Sequence, residues 1–361
     1  MRRRVRGGAP LRLVLHGWLL VALVALVALA GCAPGAFGGP ASAPLATATP
    51  ALLVTAPLPM PPLLNDYHIF VSDLVSGDVE SLGTQTYLAA RSTHGLGLSP
   101  DGKSLYVTDV AGGRLLVYHL SGGKLSDPHA VRVGAQPVHM VASPDGRYVF
   151  VANFSGASVS VVDTREWRVT RVIQTPAGPH SIVISPDGAY AYVACYLGAS
   201  VAIIDIARQT LVGQIALPAP AHPYGLGISR DGRYLYTSDN FSSRLFTLDT
   251  QTHRAITSTE IGLRPALIAL APDGKTLYVA NGASHNLSIV DIGADPAAPR
   301  VTATTPLDGY PHGVSVTPDG RYVVVADTVS GDVSVVDVRS HAVVATIVGM
   351  KYPNDTLSIA A

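Results

Sequence analysis

A four-residue turn that recurs at a near-constant step, short β-rich runs between its copies and the lack of any helical periodicity predict an all-β chain. The expected architecture is a seven-bladed β-propeller of four-stranded blades, one of them split between the two termini. The turn reads Ser99-Pro100-Asp101-Gly102, Ser143-Pro144-Asp145-Gly146 and Ser185-Pro186-Asp187-Gly188. It returns as Ser229-Arg230-Asp231-Gly232, Ala271-Pro272-Asp273-Gly274 and Thr317-Pro318-Asp319-Gly320, with glycine steps of 44, 42, 44, 42 and 46 residues. Composition agrees. With 35 Gly and 27 Pro in 361 residues the chain turns often, and 14% charge excludes a coiled coil or a charged disordered polymer.

The chain opens on a leader. Arg2, Arg3, Arg4, Arg6 and Arg12 precede an apolar run from Trp18 to Ala30, which is short for a membrane span. The run ends in Leu29-Ala30-Gly31-Cys32, which resembles the lipobox of bacterial lipoproteins. That resemblance implies a signal peptide over residues 1–31, lipidation of Cys32 and a mature chain anchored to a membrane by lipid. The expected location is exported, on the periplasmic or cell-surface side of the envelope. Five of the 25 basic residues fall in those first twelve positions, so the rest of the chain holds 20 basic against 25 acidic residues, a net of −5. That balance argues against nucleic acid as a partner. Residues 32–65 hold eight prolines and no charge, which reads as an extended tether ahead of a propeller over 66–361, expected to be monomeric.

The unit over 180–217 shows how each blade is built. Ser181–Ser185 alternates as a strand, Pro186-Asp187-Gly188 supplies the turn, and Ala189–Cys195, Val201–Ile206 and Thr210–Leu217 follow as three more strands. Six tetrads make six such units. Ahead of them His68–Asp73, Asp78–Leu82 and Tyr87–Arg91 align with second, third and fourth strands, so that unit lacks a first strand. Pro353–Ala360 matches Pro311–Val316 and is expected to supply it, closing the ring.

Leu105-Tyr106-Val107-Thr108-Asp109 and Leu277-Tyr278-Val279-Ala280-Asn281, each followed by a strand like Val159–Asp163, resemble the YVTN repeats of seven-bladed β-propellers. The resemblance covers nearly all of 66–361 and implies the fold. Functions among similar repeats range from surface-layer proteins and lactonase-like propellers to the haem- and copper-bearing propellers of denitrification, and the fold does not choose among them.

In such propellers ligands sit at the channel mouth, where the blade connections and the turns between second and third strands meet. The residue six places before each tetrad proline opens a first strand at that mouth. Around the ring it reads His94, Val138, His180, Tyr224, Ala266 and His312, with Asn354 in the split blade; His139 is one residue out of register and His222 two. Either each histidine caps a strand start and hydrogen-bonds a neighbouring blade, or His94, His180 and His312 hold a metal or another ligand. Phe154, Tyr196 and Phe241, on the turns of three consecutive blades, are either inter-blade packing or an aromatic docking patch. The second-strand ends Asp73, Asp109, Asn153, Cys195, Asp239, Asn281 and Asp327 read as turn caps, with Cys195 as the exception. No Gly-x-Ser-x-Gly elbow, His-Glu-x-x-His or phosphate-cradling loop is present. The sequence therefore points to a binding or scaffold module that recognises a protein or small ligand at the mouth. The alternative is a propeller that handles a metal or tetrapyrrole cofactor, or a lactone, through the mouth histidines.

Overall fold

The computed structural model describes residues 53–55, 58–88 and 90–361; the leader, Cys32 and the first part of the tether lie outside the described residues. Seven antiparallel sheets follow one another along the chain. Blades 2 to 7 are four-stranded, and their first strands are Thr93–Leu98, Pro137–Ala142, Pro179–Ile184, Pro223–Ile228, Pro265–Leu270 and Pro311–Val316. A proline opens five of these six. It fixes φ where the chain enters the strand, and its missing N–H costs nothing there. Among the described residues the only helical element is a 3-10 turn over Pro62–Leu64, and no helix is long and apolar enough to cross a membrane.

Blade 1 is closed as the sequence predicts. Pro353–Ala360 lies against Tyr67–Asp73, pairing Phe70 with Leu357 and Ser72 with Asp355. Asp73 fastens the joint, because its Oδ2 accepts the backbone N–H groups of Lys351 and Tyr352 at 2.9 and 2.8 Å. The expected boundary at Asp66 is too late. Leu53–Thr55 adds a fifth strand outside Gln85–Leu88. Leu64 is fully buried, and Leu58, Met60 and Leu63 pack against Tyr322, Val324, Val333 and Ile347 of blade 7. A proline-rich segment without charge reads as a linker by composition, yet its four large apolar side chains have a hydrophobic cleft to fill.

The core lies between blades. Phe70, Val79 and Tyr87 of blade 1 pack with Leu105, Val107, Leu116 and Tyr118 of blade 2, and comparable clusters join the later blades. The tetrad turns gather on one face. In blade 3 the Ser143 hydroxyl donates to Asp145 at 2.5 Å and accepts the Tyr148 N–H at 2.9 Å, while Gly146 takes the positive φ of +68° that the turn demands.

Candidate functional site at the axial mouth

Each first strand opens with a bulge. In blade 2, Thr93 pairs with Asp109 and Leu96 with Val107, so His94 and Gly95 together face Thr108 alone. The same slip recurs in blades 4 to 7, between Pro179 and Ile182, Pro223 and Leu226, Pro265 and Ile268, and Pro311 and Val314. A bulge of this kind re-aims side chains that strict alternation would send to opposite faces. The first bulge position is the column His94, Val138, His180, Tyr224, Ala266, His312 and Asn354. The second is Gly95, His139, Ser181, Gly225, Leu267, Gly313 and Asp355. At Gly95, Gly225 and Gly313 a Cβ would stand 2.4, 2.6 and 2.4 Å from the carbonyl oxygens of Val138, Ala266 and Asn354 in the next blade. These glycines let neighbouring blades meet backbone to backbone.

The two columns converge. His94 lies 4.9 Å from His139, 5.4 Å from His180 and 5.8 Å from His312, ring centroid to centroid, and His139 lies 5.0 Å from His180. Tyr224 stacks on His180 at 3.8 Å and donates its hydroxyl to His312 Nε2 at 2.8 Å. His94, His180 and His312 are 5%, 3% and 4% exposed. His139 came from the second column, which the one-residue register put aside.

Hydrogen bonds fix the tautomer of His312. His312 Nδ1 faces the Asn354 carbonyl at 2.9 Å and must donate to it, which leaves Nε2 to accept from Tyr224. His312 therefore ties blade 7 to the closing strand of blade 1. The backbone of Val138 beside His94, and that of Tyr224 beside His180, favour the charged rings but are outweighed by burial. Nδ1 of His94 and of His180 is buried without a partner, as is His139 Nε2. Burial, and then the neighbouring imidazoles, hold His94 and His180 well below the ordinary histidine value; burial pushes His139 to about 3 and His312 to about 4. All four are neutral at pH 7. Asp355, pushed up to about 7 by burial, accepts the Leu96 and Thr356 N–H groups at 3.0 and 2.9 Å and stands 3.8 Å from His139 Nδ1.

Of the expected metal set, His94 and His180 lie in the cluster whose donors converge, while His312 is bound elsewhere. Both nitrogens of His312 are already engaged. The donors that converge are those of His94, His139 and His180, one ring nitrogen from each lying within 4.8 Å of the others.

An aromatic arc rises from this cluster to the rim. Phe154 stands 6.3 Å from His180 and 6.1 Å from Tyr196, Tyr196 lies 4.7 Å from His222, and His222 lies 5.5 Å from Phe241. Phe241 and Leu197 are 59% and 58% exposed. Arg264 reaches in from the connection to blade 6, donating to Asn240 Oδ1 at 3.0 Å, with its charge near Tyr196. Phe154 and Tyr196 thus pack on each other beside the histidines, and Phe241 joins them through His222. On the opposite face a groove of about 250 Å³ runs between blades 4 and 5, lined by Ser185, Asp187, Tyr190, Asp231 and Arg233. Its serine and carboxylates already serve the turns of the repeat, for Ser185 binds Asp187 and Asp231 caps Arg233 N–H.

Comparison with known proteins places the chain among its relatives. The YNCE-like beta-propeller family model matches residues 73–222, and the model "Lactonase, 7-bladed beta-propeller" matches residues 247–348. The antigen Lp49 of Leptospira interrogans is 30% identical over 248 residues, which is 61% of this chain and 44% of that protein. The chain thus matches under half the length of that curated relative. The periplasmic gluconolactonase of Pseudomonas aeruginosa superposes with a TM-score of 0.69 at 22% identity, over 81% of this chain and 99% of that one. A putative 6-phosphogluconolactonase of Bacteroides uniformis gives 0.70 at 19%, over 81% and 100%. Hydrazine synthase of Kuenenia stuttgartiensis gives 0.65 at 24%, over 73% and 88%. These likenesses show the fold, a seven-bladed β-propeller, and the chain is similar in two segments to the YNCE-like and lactonase propeller families.

Proposed function

We propose that this propeller is an envelope-anchored recognition module, tethered through a lipid on Cys32, whose binding surface is the axial mouth. The observation that carries the reading is the continuous arc of Phe154, Tyr196, His222 and Phe241 above the buried His180–Tyr224 stack. Such an arc offers π-faces and polar ring edges, with the Arg264 guanidinium, held on Asn240, close to Tyr196. It suits a flat, weakly charged or anionic ligand, which stacking holds and hydrogen bonds orient. Similarity to the lactonase propellers supports a rival reading, in which a neutral histidine of the cluster serves as a base toward a sugar lactone.

Two assays on the purified chain decide between them. The planar anionic dye anilinonaphthalene sulfonate should bind with one-to-one stoichiometry, and the Tyr196→Ala/Phe241→Ala variant should weaken it at least tenfold. δ-Gluconolactone should disappear no faster than in buffer. Turnover of the lactone that His180→Ala abolishes would replace the recognition reading with the catalytic one. A dye affinity indifferent to the two aromatics would remove the arc as the binding surface.

A further inference from the structure

We propose that His94, His139 and His180 form a binding site for a late first-row transition-metal dication of the Zn2+, Ni2+ and Cu2+ class. This goes beyond the recognition reading and does not rest on it. Buried polar atoms are almost always hydrogen-bonded. Here three imidazoles leave three buried ring nitrogens without a partner, His94 Nδ1, His139 Nε2 and His180 Nδ1, in one cluster. A neutral imidazole keeps a lone pair on one of its two ring nitrogens, so each ring can turn a donor toward an ion. Neutral imidazoles are the donors that these ions take, and calcium and magnesium do not.

The spacing fits with small movements. Nitrogens bound tetrahedrally at about 2.0–2.1 Å from an ion stand roughly 3.3 Å apart. The donors of the three histidines already lie within 4.8 Å of one another. Closing the remaining gap takes small rotations of side chains, while the strand openings that carry them stay fixed in three adjacent blades.

The surroundings complete the pattern. A histidine that binds metal through one nitrogen is usually oriented through the other by a carboxylate or a carbonyl. Asp355 Oδ2 stands 3.8 Å from His139 Nδ1, on the side away from the orphaned Nε2. Asp355 is itself held by two backbone N–H groups, so it is a positioning residue supplied by the C-terminal strand. Three protein donors leave a tetrahedral ion one position for water or for a ligand.

Titration of the chelator-stripped full chain with Zn2+ by calorimetry tests the proposal. One equivalent should bind. His139→Gln and His180→Gln, folded by circular dichroism, should each weaken binding at least 100-fold. Asp355→Asn should weaken it 10- to 100-fold, as expected for an orienting group. His253→Asn, an exposed histidine on the opposite face, should bind as the wild type does, and so should Tyr196→Ala/Phe241→Ala. Should the cluster variants fail to fold, Cu2+ bound to the wild type allows a count of coordinated imidazoles by electron spin-echo modulation, and three are expected. Fewer than a tenth of an equivalent bound by wild type, folded cluster variants that bind with undiminished affinity, or a single coordinated imidazole would overturn the site.

Discussion

Asp327 ends the second strand of blade 7 and is fully buried, with Ser334 Oγ donating to its Oδ2 at 2.5 Å and Oδ1 left without a partner. Burial pushes its carboxyl up to about 7. The folded state therefore holds this proton up to about pH 7, whereas the unfolded chain releases it near the ordinary value of 3.8. Stability must fall as pH rises through that window, by roughly 2–4 kcal/mol at 1.36 kcal/mol per pH unit. Asn153 and Asn281 occupy the same place in blades 3 and 6 and donate to serines there. We expect Asp327→Asn to stabilise the protein by about 1–3 kcal/mol at pH 8 and by much less at pH 4, in denaturant melts at the two values. An equal effect at both would refute the assignment.

Cys195 stands in the same column. Asn153 accepts the Gly134 N–H, but the corresponding position before Cys195 is Pro176, which has none. The donor and the acceptor are missing together, and the Ser200 hydroxyl stays unpartnered. Burial pushes the thiol up to about 12, so it is inert rather than reactive. A thiol reagent should label it only at the rate of global unfolding; immediate labelling of the native protein would contradict its burial.

Among the elements, the tetrad turns provide their own control. In blades 2 to 5 a serine hydroxyl ties the turn aspartate to the N–H that opens the next strand, and Thr317 does so in blade 7. Blade 6 has Ala271, so of the side-chain contacts only that of the Lys275 N–H with Asp273 survives there. Ala271→Ser should restore two hydrogen bonds and raise stability by about 1–2 kcal/mol, read from the melting curve. A loss of stability would show that the alanine pocket has no room for a hydroxyl.

Strand openings also show where sequence reading stops. A period of 42 to 46 residues and the tetrad chemistry are local, so blades and the His94, His180, Tyr224 and His312 column were legible. The bulge was not, because the count of residues along one strand is silent about which of them face a partner strand two to one. Alternation therefore sent His139 to the wrong side and passed over Asp355, both in the second column. The glycines at 95, 225 and 313 were the available signal, since they alternate with side chains in that column for want of space.

At the scale of the whole molecule, the clasp decides stability. Removing Tyr352–Ala361 would take away the strand paired with Tyr67–Asp73, the anchor on Asp73 and the apolar contacts of Leu357 and Ile359. Several hydrogen bonds at ~0.5–1.5 kcal/mol each, with this burial, approach the ~5–15 kcal/mol margin of a typical domain. We expect aggregation or a large drop in melting temperature, whereas an unchanged melt would place the closure elsewhere. The clasp was legible because its sequence matches the other first strands. The docking of Leu58 to Leu64 on blade 7 was not, since it depends on a cleft that exists only after the ring has closed.

The clasp also carries Asn354 and Asp355 to the axis, so the mouth is complete only in the closed ring. The central claim is that side chains from blades 2, 3, 4 and 7 meet at one point. Nuclear Overhauser effects between the imidazole protons of histidine-labelled, chelator-stripped protein test it most directly. We expect cross-peaks linking His94 with His139 and His180, and His139 with His180, whose centroids lie 4.9, 5.4 and 5.0 Å apart. Imidazole protons of these three residues that show no cross-peaks to one another would contradict the axial site, and with it both the recognition surface and the metal site built on it.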